Sequence, residues 1–191
     1  MSTVATASPR GHARCAVSST RSRTASSSPT GEGAARVIYS LFKVLHVLGA
    51  VLFIGSLLLA GWWKWRTDRN GEARLAAFTL DGILAGDVRF TASGALLLLV
   101  GGGGMLALGS DNLMTQAWLS GGIILFLVAA LTWAVVLMPL LRQLRALARR
   151  AGDGPLPEVY RRMTQIWALA SGVATLAALA ALILMVAKPG G

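Results

Sequence analysis

Four apolar runs, at residues 37–60, 90–109, 117–141 and 163–187, are separated by shorter polar segments. A bilayer's hydrocarbon core takes about 20 helical residues to cross, and each run reaches that length. The last three contain no charged residue, and the first holds only Lys43 and His46. In lipid, a helix satisfies all of its own backbone polar groups, so runs of this kind predict spans rather than strands or soluble core helices. The pattern predicts an all-α polytopic membrane protein: a four-transmembrane-helix bundle over residues 37–188, solvated by the lipid bilayer.

Composition and charge refine this picture. The chain is 54% hydrophobic and 14% charged, whereas charged residues make up about a quarter of a soluble domain. A formal charge of +10 would suggest nucleic acid in a soluble protein. Here the cations lie between spans, where membrane proteins concentrate them, and nucleic-acid binding is rejected. Between spans one and two lie Lys64, Arg66, Arg69, Arg74 and Arg89; between three and four lie Arg142, Arg145, Arg149, Arg150, Arg161 and Arg162. Residues 110–116 carry no cation, and the tail carries only Lys188. The asymmetry predicts basic loops in the cytoplasm of a bacterium, with both termini outside its plasma membrane.

Residues 1–36 have a different character, rich in Ser, Thr, Ala and Arg, with Glu32 the only acid. They are expected to form a disordered leader, or to reflect a start site placed upstream of a true one near Val37. Cys15, the single cysteine, permits neither an internal disulfide nor a cysteine-based zinc site within one chain.

Interfacial features follow the spans. Trp62, Trp63, Trp65, Trp118 and Trp167 lie near span ends, as an aromatic belt requires. Residues 141–150 continue span three as an amphipathic segment expected to lie along the inner surface, and residues 74–88 are expected to form a similar short helix before span two. The Gly-Asp-Gly-Pro sequence at 152–155 breaks the chain, and Pro157 and Glu158 suit a new helix, with Glu158 one turn before Arg162.

Candidate chemistry is sparse. His46 is the only histidine outside the leader; it shares a helical stripe with Gly49, Phe53, Ser56 and Ala60 that is expected to face the bundle. It is a candidate ligand for haem b or copper, or a neutral side chain hydrogen-bonded to a neighbouring helix. Met105 and Met185 are placed in the same leaflet and complete a hypothetical His/Met set, although methionine also serves as core filler. Lys43, one turn from His46, is expected to snorkel to the headgroups. The glycines at 101–104 imply close approach of another helix, or a flat cofactor or broken helix. No acid is expected inside the membrane, which weakens a transporter reading, and no hydrolase or nucleotide motif is present.

The runs LHVLGAVLFIGSLLLAGWWKWR, DVRFTASG and WAVVLMP resemble an uncharacterised bacterial family of predicted integral membrane proteins, domain of unknown function 2269, over about residues 37–188. Span one is similar, more distantly, to the copper-resistance D proteins and the bacterial four-helix protoporphyrinogen oxidases, in which a histidine is followed seven residues later by an aromatic and then by glycine. Here these are His46, Phe53 and Gly55. That likeness implies an inward histidine and haem or copper chemistry. Phe53 stands where tryptophan is usual and Ser56 where a second glycine is usual. The function readings are therefore a redox or cofactor-carrying component, with His46 as ligand and Met105, Met185 or a second subunit of a homo-oligomer completing the set; a non-catalytic structural or interaction protein; and, third, a small transporter.

Overall fold

In a computed structural model, the described residues are 29–109 and 116–189, and they are almost wholly helical. Residues 1–28, with Cys15 and most of the expected leader, and residues 110–115, most of the uncharged loop, lie outside the described residues. The helices are α1 (Pro29–Asp68), α2 (Ala73–Gly86), α3 (Ala92–Leu108), α4 (Ala117–Leu131), α5 (Met138–Ala151) and α6 (Glu158–Ala187). Asp87–Thr91 joins α2 to α3, and Thr132–Leu137 joins α4 to α5, each as a π-helical turn. Four continuous rods result, each long and apolar enough to cross a membrane: Gly33–Asp68, Ala73–Leu108, Ala117–Ala151 and Glu158–Ala187.

The rods outrun the apolar runs because the polar segments are helical too. α1 begins at Pro29, inside the stretch read as leader, and continues past its tryptophans to Asp68. Only residues 69–72 separate it from α2. Gly152 turns the chain after α5 at φ +59°, in the half of backbone space that favours glycine. Pro157 precedes α6, and Glu158 lies 3.8 Å from Arg161 and 3.9 Å from Arg162.

The two amphipathic segments expected at the bilayer surface pair with one another. α2 buries Ala73, Ala76, Leu80 and Ile83, and α5 buries Leu141, Leu144 and Ala148, all but Ala73 within one continuous apolar cluster. Across this seam Asp81 accepts a hydrogen bond from Arg149 at 2.7 Å and pairs with Arg145. Asp81 is about one-third exposed (34%), so these pairs contribute about 0–1 kcal/mol, and apolar burial holds the helices together.

α1 and α3 meet backbone to backbone. A β-carbon on Gly101 would lie 2.5 Å from the His46 amide nitrogen, one on Gly49 2.6 Å from that of Leu98, and one on Gly94 2.7 Å from that of Phe53. No side chain fits those gaps. Gly104 faces the Phe42 ring, whereas Gly103 faces open space. The glycine run therefore serves close helix approach, and α3 passes through it unbroken.

The tryptophans divide. Trp62, Trp63 and Trp65 remain half exposed, as an interfacial belt requires, but Trp118 and Trp167 are buried within the protein. Trp118 lies under Lys188 at 4.9 Å.

The seam predicts a position-specific response. Gly101→Ala should destabilise the detergent-solubilised protein by about 1–3 kcal/mol, and Gly103→Ala by less than about 0.5 kcal/mol; thermal unfolding followed by circular dichroism compares them.

Candidate functional site

A lateral groove runs between α1 and α6. Its apolar part has a volume of about 530 Å³ and is lined by Leu57, Leu58 and Trp62 of α1 and by Gly172, Thr175 and Leu176 of α6. Past Gly61, Trp65 and Ser171 it continues into a charged part of about 340 Å³ that includes Lys64, Asp68, Arg69 and Thr164. Small residues open it. A β-carbon on Gly172 would meet nothing within 4 Å, and one on Gly61 would meet only the Ser171 hydroxyl at 4.0 Å. At α1 and α3 the missing side chains are filled by backbone; at α1 and α6 they are left as space.

Lys64 closes the charged end from beneath. The sequence pattern places it between spans, but it lies in the last turns of α1 and is only 1% exposed. Its ammonium donates to Asp68 Oδ2 at 2.5 Å, to Thr164 Oγ1 at 3.1 Å and to the Tyr160 hydroxyl oxygen at 3.4 Å. The Tyr160 hydroxyl in turn donates to Asp68 Oδ1 at 2.6 Å. The ammonium also lies 5.0 Å from the centre of the Tyr160 ring and 5.4 Å from that of Trp167, within the range in which a cation is attracted to a ring face. Three ammonium donors thus meet three acceptors, and both carboxylate oxygens of Asp68 are engaged. The network bolts α1 to α6.

A second buried polar chain joins α1 to the turn before α3. Ser56 and Thr91 hydroxyls lie 2.8 Å apart, and Thr91 donates to Asp87 Oδ1 at 2.8 Å. Thr91 and Asp87 are 0% and 4% exposed. No acid is expected within a span, yet Asp68, Asp81 and Asp87 all lie in the helices that form the candidate spans, and Asp87 is buried within the protein. Its neighbour Trp133, from the other π-helical turn, approaches the carboxylate without forming a hydrogen bond of good geometry. Such turns are frequent at functional sites.

His46 faces the bundle, as its stripe predicts, within the α1 and α3 seam. Nδ1 lies 3.0 Å from the Leu98 carbonyl oxygen. A carbonyl only accepts, so Nδ1 is the donor in this bond. The ring lies against the bare backbone of Gly102, whose β-carbon would fall 3.1 Å from Nδ1. Met185 belongs to a different helix pair, packing against Gly122 of α4; Met105 lies one turn beyond Gly102 on α3. Among the described residues, no three His, Cys, Asp or Glu side chains converge as a metal site. Among the described residues His46 is the one imidazole, and the His, Cys, Asp and Glu side chains there do not make a complete donor set for haem or copper. Lys43 is exposed, consistent with snorkelling.

Sequence reasoning missed Lys64, Asp68, Tyr160 and Asp87 as interior groups. The available signal was spacing: Lys64 with Asp68, and Asp87 with Thr91, stand four residues apart, as partners on one helix face do. Tyr160 had no such signal, because it meets α1 only through tertiary packing.

Breaking a buried pair from one side strands the other charge. Lys64→Met should cost about 3 kcal/mol, seen as a lower thermal midpoint in detergent, and Lys64→Met combined with Asp68→Leu should recover most of that loss.

No curated protein and no solved structure matches the chain. The family model described as "predicted integral membrane protein (DUF2269)" matches residues 40–189, which include most of the first candidate span, all of the other three and both ends of the groove. With four membrane-length apolar helices in the fold and a match over most of its length, the chain belongs to this family of integral membrane proteins of unknown function.

Proposed function

We propose that the protein is a non-catalytic component of a bacterial plasma membrane that holds an amphipathic molecule in the groove between α1 and α6. The polarity gradient along that groove carries the reading. Leucines line one end, indoles the middle, and Lys64, Asp68 and Arg69 the other. This is the order in which a membrane amphiphile presents its tail, interface and headgroup. Binding sites of this kind combine a mostly apolar lining with a few placed polar groups. The basic residues gathered at the α1–α2 and α5–α6 ends support an orientation with those ends in the cytoplasm and both termini outside.

A second reading has one observation in its favour. The bond from His46 Nδ1 to the Leu98 carbonyl orients the ring and leaves Nε2 as the other nitrogen, an outer contact of the kind common in metal-ligating histidines. On this reading His46 is one axial ligand of haem b or a ligand of copper. Met105 or the same histidine of a second copy would supply the other.

Groove occupancy decides the first reading. Native mass spectrometry of the protein extracted from membranes should find a co-purifying amphiphile, and Gly172→Trp, which grows into open space, should displace it while leaving the thermal midpoint within about 2 °C. Equal occupancy in wild type and variant would overturn the reading. An absorption spectrum with metal analysis separates the second: a Soret band lost in His46→Ala would establish it, and a colourless, metal-free protein after expression with ample haem and copper would sink it.

A further inference from the structure

We propose that the charged end of the groove binds the phosphate of an anionic phospholipid from the cytoplasmic leaflet, and that Arg69 is the residue that holds it. This rests on the groove reading above and names its ligand. Three groups at that end are ionisable, and two of them are spent. Lys64 is buried with all three donors engaged, and Asp68 has one oxygen taken by Lys64 and the other by Tyr160. Arg69 differs. Its guanidinium lies 4.3 Å from the centre of the Trp65 ring, it is exposed, and it forms no ion pair among the described residues. A guanidinium held over an indole face keeps N–H donors for the bidentate contact that phosphate accepts.

Charge and length favour a phospholipid over other amphiphiles. Two cations face one carboxylate at this end, so the lining carries a net positive charge that an anionic headgroup neutralises. Both oxygens of the carboxylate are already hydrogen-bonded, one to Lys64 and one to Tyr160, so it competes poorly for an ammonium headgroup. From Arg69 to Leu57 the helix rises about 18 Å at 1.5 Å per residue, close to the half-thickness of about 15 Å that one acyl chain occupies. Trp62 and Trp65, with ring centres 5.3 Å apart, lie between the two ends, at the level where indoles prefer to sit.

The test uses the full chain in nanodiscs of phosphatidylcholine containing matched fractions of phosphatidylglycerol, with retained lipid counted by native mass spectrometry. Wild type should retain phosphatidylglycerol about tenfold over phosphatidylcholine. Arg69→Gln should abolish that preference, Arg69→Lys should restore part of it, and Arg66→Gln, an exposed cation on the same helix outside the groove, should leave it intact. Equal retention of both lipids by wild type, with both displaced by Gly172→Trp, would overturn the phosphate assignment and leave the groove reading standing. A neutral lipid retained instead would do the same. Retention untouched by Gly172→Trp would overturn both, and an anionic preference lost equally in Arg66→Gln and Arg69→Gln would reduce the effect to general surface charge and overturn the role of Arg69.

Discussion

Acyl chains are as apolar as leucine, so a helix in lipid gains nothing by turning an apolar face towards its neighbour. Association must come from close packing and from polar groups that lipid cannot satisfy. The seam of α1 and α3 meets the first condition as tightly as a backbone permits, with Gly49, Gly94 and Gly101 removing the side chains that would hold the helices apart. The rest of the arrangement depends on that contact. It carries His46 into reach of the Leu98 carbonyl, sets Ser56 beside Thr91, and brings Phe53 into the core, where it meets Phe126 edge to face at 5.7 Å between ring centres.

Polar contacts perform the second task, and they gather towards one end. Ser56, Thr91 and Asp87 tie α1 to the turn before α3; Lys64, Asp68, Tyr160 and Thr164 tie α1 to α6; Asp81 ties α2 to α5. Outside the long apolar runs the adhesive changes: the paired amphipathic faces of α2 and α5 bury leucine and alanine against one another. The groove follows from this division. α1 and α6 are fastened at Lys64, but further along the same pair glycine and serine face each other across a gap that neither backbone closes.

The comparable sequences Ala92-Ser93-Gly94 and Ala170-Ser171-Gly172 illustrate how context assigns roles. Gly94 is buried against the α1 backbone, and the Ser93 hydroxyl bonds its own helix at Phe90 O, 3.2 Å away. In α6 the serine is the buried member and the glycine opens onto the groove. A shared motif thus supports a tight seam in one place and a cavity in the other. Likewise the glycines at 101–104 divide among backbone contact, an imidazole, open space and a phenyl ring.

The sequence by itself determined the helical class, the four spans, the inward stripe of His46 and the break at 152–155, because each depends on local periodicity or on the length of apolar chain that lipid demands. It read Lys64 and Asp87 as loop residues although each is helical and buried within the protein, since hydropathy averages a window and does not register a single charge whose partner lies elsewhere. Only the tertiary structure decided that Lys64 meets Tyr160 and Thr164 about a hundred residues away, that the amphipathic faces of α2 and α5 cover each other, and that α1 and α6 part to leave a groove. Those outcomes depend on which helices become neighbours and how closely, and in a bilayer that is set by the fit of small residues and buried polar groups between rods, a property of pairs that no single run of sequence contains.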